Sequence, residues 1–124
     1  MFQFPKKQKL CSEKSIDRLF ASGKSASEEP FRFVWKLEKN NDNIFVKSLV
    51  IVSKKRLKLA KDRNIIKRRI KEIYRINKKQ LEFCLDRKNK QLNLAIIYQR
   101  HDILEYKFLE EKIIVLLERL IKQL

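Results

Sequence analysis

The feature that most constrains this chain is a strongly basic segment with the periodicity of an amphipathic helix. Thirteen Lys and Arg residues and only two acidic residues lie between Lys54 and Lys79. Within it, Ile66, Ile70 and Ile73 recur at helical spacing and form one narrow apolar face. A helix that buries this face must expose a broad cationic face beside it. Self-repelling charge at this density is typical of proteins that bind a polyanion, most often nucleic acid.

The rest of the chain predicts short helices and strands around this basic helix. In chain order we expect a helix over 13–22, strands over 31–38 and 44–53, the basic helix from about 59 to about 86, a strand over 92–99 and a helix over about 104–123. Ser12 is the expected N-cap of the first helix and Gly23 its expected end. Asp102 and Glu105 have capping-box spacing before the last helix.

The order of these elements predicts an α+β sandwich, with helices over a small sheet. We expect strands 31–38 and 44–53 to form a hairpin in which the second strand is central, because a short turn over 40–43 joins them. Strands 44–53 and 92–99 should be parallel, because the basic helix connects them. In strand 31–38, Phe31, Phe33, Trp35 and Leu37 alternate with Arg32, Val34 and Lys36.

Length and composition exclude several classes of protein. The 124 residues predict one domain over 1–124, and 44% hydrophobic residues are enough for a core. No apolar stretch is long enough for a membrane span, and the first ten residues lack the apolar core of a secretory signal, so we expect a cytoplasmic protein. Cys11, Cys84 and His101 cannot supply a usual zinc ligand set, and we expect no metal site.

We interpret the cationic face as a phosphate-binding face rather than a merely solvated one. A solvated helix usually intersperses Glu with Lys at i, i+4, whereas here cation follows cation at 63/67, 67/71 and 71/75. The candidate residues for binding nucleic-acid phosphates are Lys54, Lys55, Arg56, Lys61, Arg63, Asn64, Lys67, Arg68, Lys71 and Arg75. We expect no catalytic group in the protein, because His101 has no neighbouring nucleophile and no carboxylate cluster is apparent.

The segment from Ser53 to Arg75 closely resembles the protein subunit of bacterial ribonuclease P. That family has a strand ending in Ser/Ala-Lys-Lys, then a helix with A-x-x-R-N-x-x-K-R-x-x-R-E. The matching residues here are Ser53-Lys54-Lys55, Ala60, Arg63-Asn64, Lys67-Arg68, Lys71 and Glu72, with departures at Ile65 and Lys71. Residues 4–10 resemble the family's opening Phe-Pro-basic segment, and Ile16, Leu19, Phe20 and Gly23 resemble its first helix, so the resemblance extends over about 4–122.

This resemblance implies an αβββαβα sandwich with a small mixed sheet, one further short strand and a left-handed strand–helix–strand crossover. It also implies a function, as the protein subunit of a ribonucleoprotein that removes the 5′ leader from precursor tRNA. The catalytic centre would belong to the RNA, with Mg²⁺ held mainly by that RNA. The protein would bind the catalytic RNA and the single-stranded leader, broadening substrate use and lowering the demand for Mg²⁺. The partners are therefore the catalytic RNA and precursor tRNA, with no membrane and no small-molecule substrate.

Within this interpretation, a cleft between helix 13–22 and the sheet would hold the leader. Stacking and apolar contact tolerate varied leader sequences. The candidates are Ile16, Phe20, Phe31, Phe33, Val34 and Trp35. Alternation lets only one face of strand 31–38 line such a cleft, and the sequence does not decide which.

Three other functions remain open at this stage. A non-catalytic binder of structured RNA, such as a ribosomal protein, would share the basic helix. A DNA-binding helix-turn-helix is less favoured, because no second helix precedes the basic one across a short turn. A membrane-surface helix is least favoured, because the apolar face is narrow and lacks Trp and Phe.

Overall fold

The computed structural model of the chain describes residues 8–124, so positions 4–7 of the opening segment lie outside the described residues. It has the predicted α+β fold class, with four helices and one mixed sheet of four strands. The elements are α1 (Glu13–Ser22), β1 (Lys24–Glu28), β2 (Phe31–Leu37), β3 (Val46–Val52), α2 (Ala60–Asn77), α3 (Lys79–Lys88), β4 (Leu92–Tyr98) and α4 (Tyr106–Lys122). Among these residues, no helix combines the length and apolar character that crossing a membrane requires.

Both predicted ends of α1 are confirmed. The Ser12 hydroxyl accepts a hydrogen bond from the Ser15 amide at 3.3 Å, which satisfies a free N–H of the first turn. At the other end, the Gly23 amide donates to the Leu19 carbonyl at 2.8 Å. A Cβ at position 23 would collide with that carbonyl oxygen and lie 3.0 Å from the Trp35 carbonyl oxygen. Glycine therefore lets the chain leave α1 close against β2.

The strand order is β1-β2-β4-β3, which corrects the predicted hairpin. β2 pairs with β1 and β4, both antiparallel, and β3 lies at the edge of the sheet rather than at its centre. β3 and β4 are parallel as predicted, with Val46 opposite Leu92 and Val52 opposite Tyr98. β4 takes a central place because six of its seven residues are buried, on both faces of the strand, whereas four of the seven in β3 stay partly exposed. The hand of the β3–β4 crossover stays a prediction.

The other differences from the sequence predictions are local. β1 corresponds to the further short strand that the resemblance implied, but its residues, KSASE, have no strand pattern of their own. The predicted long basic helix divides at Lys78 into α2 and α3. The capping box is wrong, because α4 begins at Tyr106 and its N-cap, Glu105, makes no side-chain capping bond.

The sheet separates two apolar cores, and this separation positions the candidate sites. On one side, α2, α3 and α4 cover a large core in which Phe31, Phe33 and Trp35 of β2 are buried. On the other side, Leu19 of α1 packs on Val34 and the central strand's Ala95 in a small core. Among the described residues, α1 is thus the only helix on its side of the sheet, where it packs mainly on β2 and β4.

Candidate nucleic-acid interface

The predicted cationic face is present at the surface. Seven of the candidate residues, which we call the cationic surface, are exposed or half-exposed: Lys54, Lys55, Lys61, Asn64, Lys67, Arg68 and Lys71. Lys54 and Lys55 lie in the turn that follows β3, and the others lie on α2. Across residues 8–124, none of the six cations in this set forms an ion pair with a carboxylate. Their charge is therefore available to an external anion.

Two further candidates hold the turn between β3 and α2 in place. One guanidinium nitrogen of Arg63 donates to the Leu57 carbonyl at 2.8 Å and to the Lys58 carbonyl at 2.9 Å. Arg56 donates to the Gln99 carbonyl at 3.2 Å, which ties the turn to the chain after β4. Arg56 and Arg63 therefore fix the backbone that presents Lys54 and Lys55.

Lys71 lies in a particularly positive environment. Partial burial, with the charges of Lys9 and Lys67 nearby, lowers the pKa of the Lys71 ammonium. Like charges disfavour the charged form of each other, so this cluster stores repulsion that a bound phosphate would relieve. Lys9 was not among the candidates; a short bridge between Lys9 and Ser48 places the N-terminal segment beside β3.

Arg75, the last of the predicted RNA-binding residues, is engaged within the protein. Its guanidinium forms an ion pair with Glu72 at 2.7 Å, one helical turn before it. That contact raises the pKa of Arg75 and lowers the pKa of Glu72, because each charged form is stabilised by the other. Arg75 thus differs from the cations of the cationic surface, and its part in RNA binding stays a prediction.

The predicted cleft corresponds to the α1 side of the sheet. Of the described side chains that pack on the small core there, four apolar ones remain partly exposed, and we call them the cleft surface: Ile16, Leu49, Ile51 and Ile97. The strand register aligns Arg32, Ile97 and Ile51 in one row across β2, β4 and β3. Arg32 is exposed at the β2 end of that row. The row therefore presents a guanidinium next to an apolar strip.

The structure corrects half of the predicted leader-binding residues. Phe31, Phe33 and Trp35 are buried on the opposite side of the sheet, beneath the helices, and cannot line the cleft. Val34 faces the cleft side but is covered, so it supports the cleft rather than lining it. Phe20 is 42% exposed and lies one turn after Ile16 on α1, so the two side chains are neighbours on the helix surface.

Glu38, just after β2, fastens α1 to the sheet beside the cleft. Its carboxylate accepts hydrogen bonds from Arg18 at 2.8 and 2.9 Å, from Ser15 at 3.1 Å and from Asn93 at 3.2 Å. The Arg18 guanidinium, helped by Ser15 and Asn93, lowers the pKa of Glu38 to about 2. The ionised carboxylate is therefore part of the structure that positions α1.

We expect this carboxylate to make stability depend on pH. A carboxyl whose pKa is lowered by folding stabilises the protein above the pKa of the unfolded chain, about 4.3 for Glu. Its contribution should disappear as the pH falls toward the folded value of about 2. Glu38→Gln should cost on the order of 1 kcal/mol at neutral pH and almost nothing near pH 2. Urea unfolding across that pH range measures the difference, and Glu111→Gln, at an exposed site on α4, is the control.

Sequence reasoning missed several residues at both sites. Leu49 and Ile51 are absent from the predicted set because the sequence indicates a central β3, with both faces covered, whereas β3 is an edge strand. Ile97 is absent because β4 is otherwise covered on both faces, and Ile97 is its one partly exposed residue. A signal was available, since Lys47 shares a strand face with Leu49 and Ile51, and a lysine indicates a face that is not fully covered. Nothing in the local sequence marks Lys9, whose position depends on a non-local backbone bridge.

Comparisons with known proteins agree on one family. The family model for Ribonuclease P matches residues 4–121. The ribonuclease P protein component of Porphyromonas gingivalis is 28% identical over 109 residues, which is 88% of this chain and 80% of the relative.

Solved structures resemble the fold over most of the chain. The RNase P protein of Staphylococcus aureus has a TM-score of 0.70 and 20% identity, with 91% of this chain and 94% of that protein covered. The RNase P protein of Thermotoga maritima has a TM-score of 0.68 and 22% identity, with 90% and 96% covered. Together with the matched family model, the exposed cationic helix agrees with the predicted function. The chain belongs to the ribonuclease P protein family, the protein component of a tRNA-processing endoribonuclease ribonucleoprotein.

Proposed function

We propose that the cationic surface docks on the catalytic RNA and that the cleft surface holds the 5′ leader of precursor tRNA. One observation carries this proposal. β3 contributes Leu49 and Ile51 to the cleft surface and then runs directly into the turn that presents Lys54 and Lys55. The two surfaces therefore adjoin along one strand and its turn, so that a leader in the cleft would lie beside the docked RNA.

The cationic surface suits recognition of an RNA backbone. The major groove of an RNA duplex is too narrow for side chains, so proteins contact phosphates and ribose from outside. Lys67, Arg68 and Lys71 project from one rigid helix, and Arg63 fixes the turn beside its first residues. Fixed positive charges of this kind select a folded RNA by the positions of its phosphates rather than by sequence.

The cleft surface suits a single strand of variable sequence. Ile51 and Ile97 offer apolar contact to bases, and Arg32 at the end of the same row can neutralise a phosphate. Phe20 supplies an exposed ring one turn from Ile16 on which a base can stack. Such contacts do not distinguish bases strongly, which matches a leader that differs between precursor tRNAs.

The bond cleavage itself is proposed to occur on the RNA, at Mg²⁺ ions that the RNA holds. Such ions activate water and stabilise the leaving oxygen. Within residues 8–124, His, Cys, Asp and Glu side chains form no group of three that could hold a metal ion. The protein residues would act by binding: neutralising phosphates beside the scissile bond and fixing the path of the leader.

Phe20→Ala should weaken binding of precursor tRNA to the reconstituted holoenzyme about fivefold or more, because base–aromatic stacking is lost. Binding of mature tRNA, which has no leader, should be unchanged. Fluorescence titration of both tRNAs measures the difference. Phe108→Ala is a matched control, because Phe108 is 40% exposed but lies on α4, across the sheet from the cleft. Equal losses for the two tRNAs would contradict a leader contact at Phe20.

A further inference from the structure

α3 carries an exposed aromatic ring between two cations, far from the cleft in the fold. Lys79, Phe83 and Arg87 follow one another at i, i+4 spacing, so they form one column along the helix surface. Phe83 is 63% exposed, the largest exposed fraction among the large apolar side chains that the structure describes. The Arg87 guanidinium lies 5.7 Å from the centre of the ring, in the range of a cation–π contact.

The ring borders a groove between α3 and α4. A cavity of about 740 Å³ is lined by Lys79, Gln80, Phe83, Cys84, Arg87, Lys88 and Ile121. A second cavity of about 360 Å³ shares Lys79, Gln80 and Ile121 and extends to Ile76, which is 49% exposed. A single exposed apolar side chain is common on protein surfaces. An apolar surface that continues over two cavities instead indicates a binding site.

This groove is separate from both surfaces described above. Leu81 and Leu85 bury the other face of α3 in the large core, beneath the sheet face that carries Phe33. The cleft surface lies on the opposite side of that sheet. The cationic surface lies on α2 and its preceding turn, before the break at Lys78. A ligand in the groove would therefore be a third contact.

We propose that the α3–α4 groove binds an unpaired nucleotide of RNA, with the base on Phe83 and the neighbouring phosphates at Lys79 and Arg87. An exposed ring flanked by cations is the arrangement with which proteins bind single-stranded RNA, because the ring stacks on a base while the cations neutralise the backbone. The first cavity is lined by three cations and by no acidic residue, although one of these cations, Lys88, also donates to the Leu124 carbonyl. Glu118 lines only the second cavity, on the α4 side. The charge of the first cavity is thus complementary to a polyanion.

The same charge disfavours a second copy of this chain as the occupant. A symmetric dimer across the groove would bring two sets of Lys79, Arg87 and Lys88 together, in molecules that each carry a net charge of +16. Juxtaposed like charges cost several kcal/mol at a protein interface. An RNA nucleotide meets the apolar floor and the cationic rim at once, and the groove is open to solvent at Phe83.

The test is an NMR titration of the full chain, with labelled Phe rings and backbone amides. The probe is a single-stranded oligoadenylate of about ten nucleotides, and an RNA duplex of equal length is the comparison. We expect the single strand, but not the duplex, to shift the Phe83 ring resonances saturably. Phe83→Leu should raise the dissociation constant, measured from the Lys79 and Arg87 amide shifts, about tenfold. Phe83→Tyr should leave that constant unchanged. Shifts at Lys67 should be unchanged in both variants.

Three outcomes would overturn the proposal. Equal Phe83 shifts with single strand and duplex would show that only phosphates are recognised. Unchanged affinity in Phe83→Leu would show that the ring does not stack. Ring shifts caused by protein concentration alone, with a dimer in sedimentation, would make the groove a protein interface. Leu favours helix and position 83 is exposed, so the variant should fold; Phe83→Tyr gives an independent comparison.

Discussion

Replacing Phe33 with alanine should lower the free energy of unfolding by about 3–5 kcal/mol, a large fraction of the stability of a small domain. Phe33 is fully buried in the large core beneath α2 and α4. Removing the ring loses its transfer free energy and leaves a cavity that the surrounding helices can fill only in part. Urea unfolding followed by circular dichroism measures the change.

The stability of Phe33→Ala distinguishes core packing from leader binding, the two roles that the sequence left open for the aromatic residues of β2. Phe20→Ala on α1 is the comparison, and it should cost less than about 1 kcal/mol because its ring is largely exposed. The milder Phe33→Leu should fold and bind precursor tRNA as the wild type does. One outcome would contradict the buried position of Phe33. If Phe33→Ala has normal stability but no longer discriminates precursor from mature tRNA, Phe33 belongs to the leader site.

Replacing Lys67, Arg68 and Lys71 together with alanine should weaken binding of the catalytic RNA about 100-fold in low salt. Each substitution removes one cation that no carboxylate neutralises among residues 8–124. If each contacts one phosphate, the slope of log affinity against log salt should decrease by roughly 0.7–0.9 per residue, or about two to three in total. The fold should be unaffected, because alanine favours helix and like-charge repulsion is relieved.

A matched variant removes the same net charge elsewhere. Lys24, Lys107 and Lys122 are exposed on β1 and α4, away from the cationic surface. Their triple replacement by alanine should leave the salt slope nearly unchanged. Equal losses in the two triple variants would mean that net charge, rather than the arrangement on α2, determines binding. Arg63 is left intact in this design, because its hydrogen bonds hold the turn at Leu57 and Lys58.

The sequence predicted those parts of the fold that local chemistry determines. α1 has its cap and its end where Ser12 and Gly23 indicate, because both depend on hydrogen bonds between residues three or four apart. The alternation in β2 correctly sorted its side chains into two faces. The cationic face of α2 followed from helical periodicity alone, and all of its predicted residues are exposed or partly exposed.

Local sequence patterns did not predict which strands pair when those strands are distant in the chain. Closeness in the chain suggested a hairpin of β2 and β3, but β4 lies between them because it can be buried on both faces. β1 escaped notice because KSASE, at a sheet edge, needs no apolar alternation to pair. Alternation also does not indicate which face of β2 is covered by α2, α3 and α4. In the structure these helices cover the face that carries Phe31, Phe33 and Trp35, which therefore belong to the core.

Exposure on a helical wheel likewise does not reveal which cations already have partners. Arg56, Arg63 and Arg75 lie in the predicted set, yet each is bonded within the protein. Arg56 and Arg63 donate to backbone carbonyls that only the folded turn brings within reach. Glu72, by contrast, lies three residues before Arg75 on the same helix, so that ion pair could be read from the sequence. The lysines of the set lack such partners among residues 8–124.

The most direct test of the central claim is leader removal by the reconstituted ribonucleoprotein. The protein is mixed with a bacterial ribonuclease P RNA at a Mg²⁺ concentration too low for that RNA to cleave precursor tRNA alone. We expect the wild type to restore cleavage, the triple variant at Lys67, Arg68 and Lys71 to restore little, and high Mg²⁺ to make the protein dispensable. Full activity of that triple variant at limiting protein, or cleavage by the protein without RNA, would contradict the account.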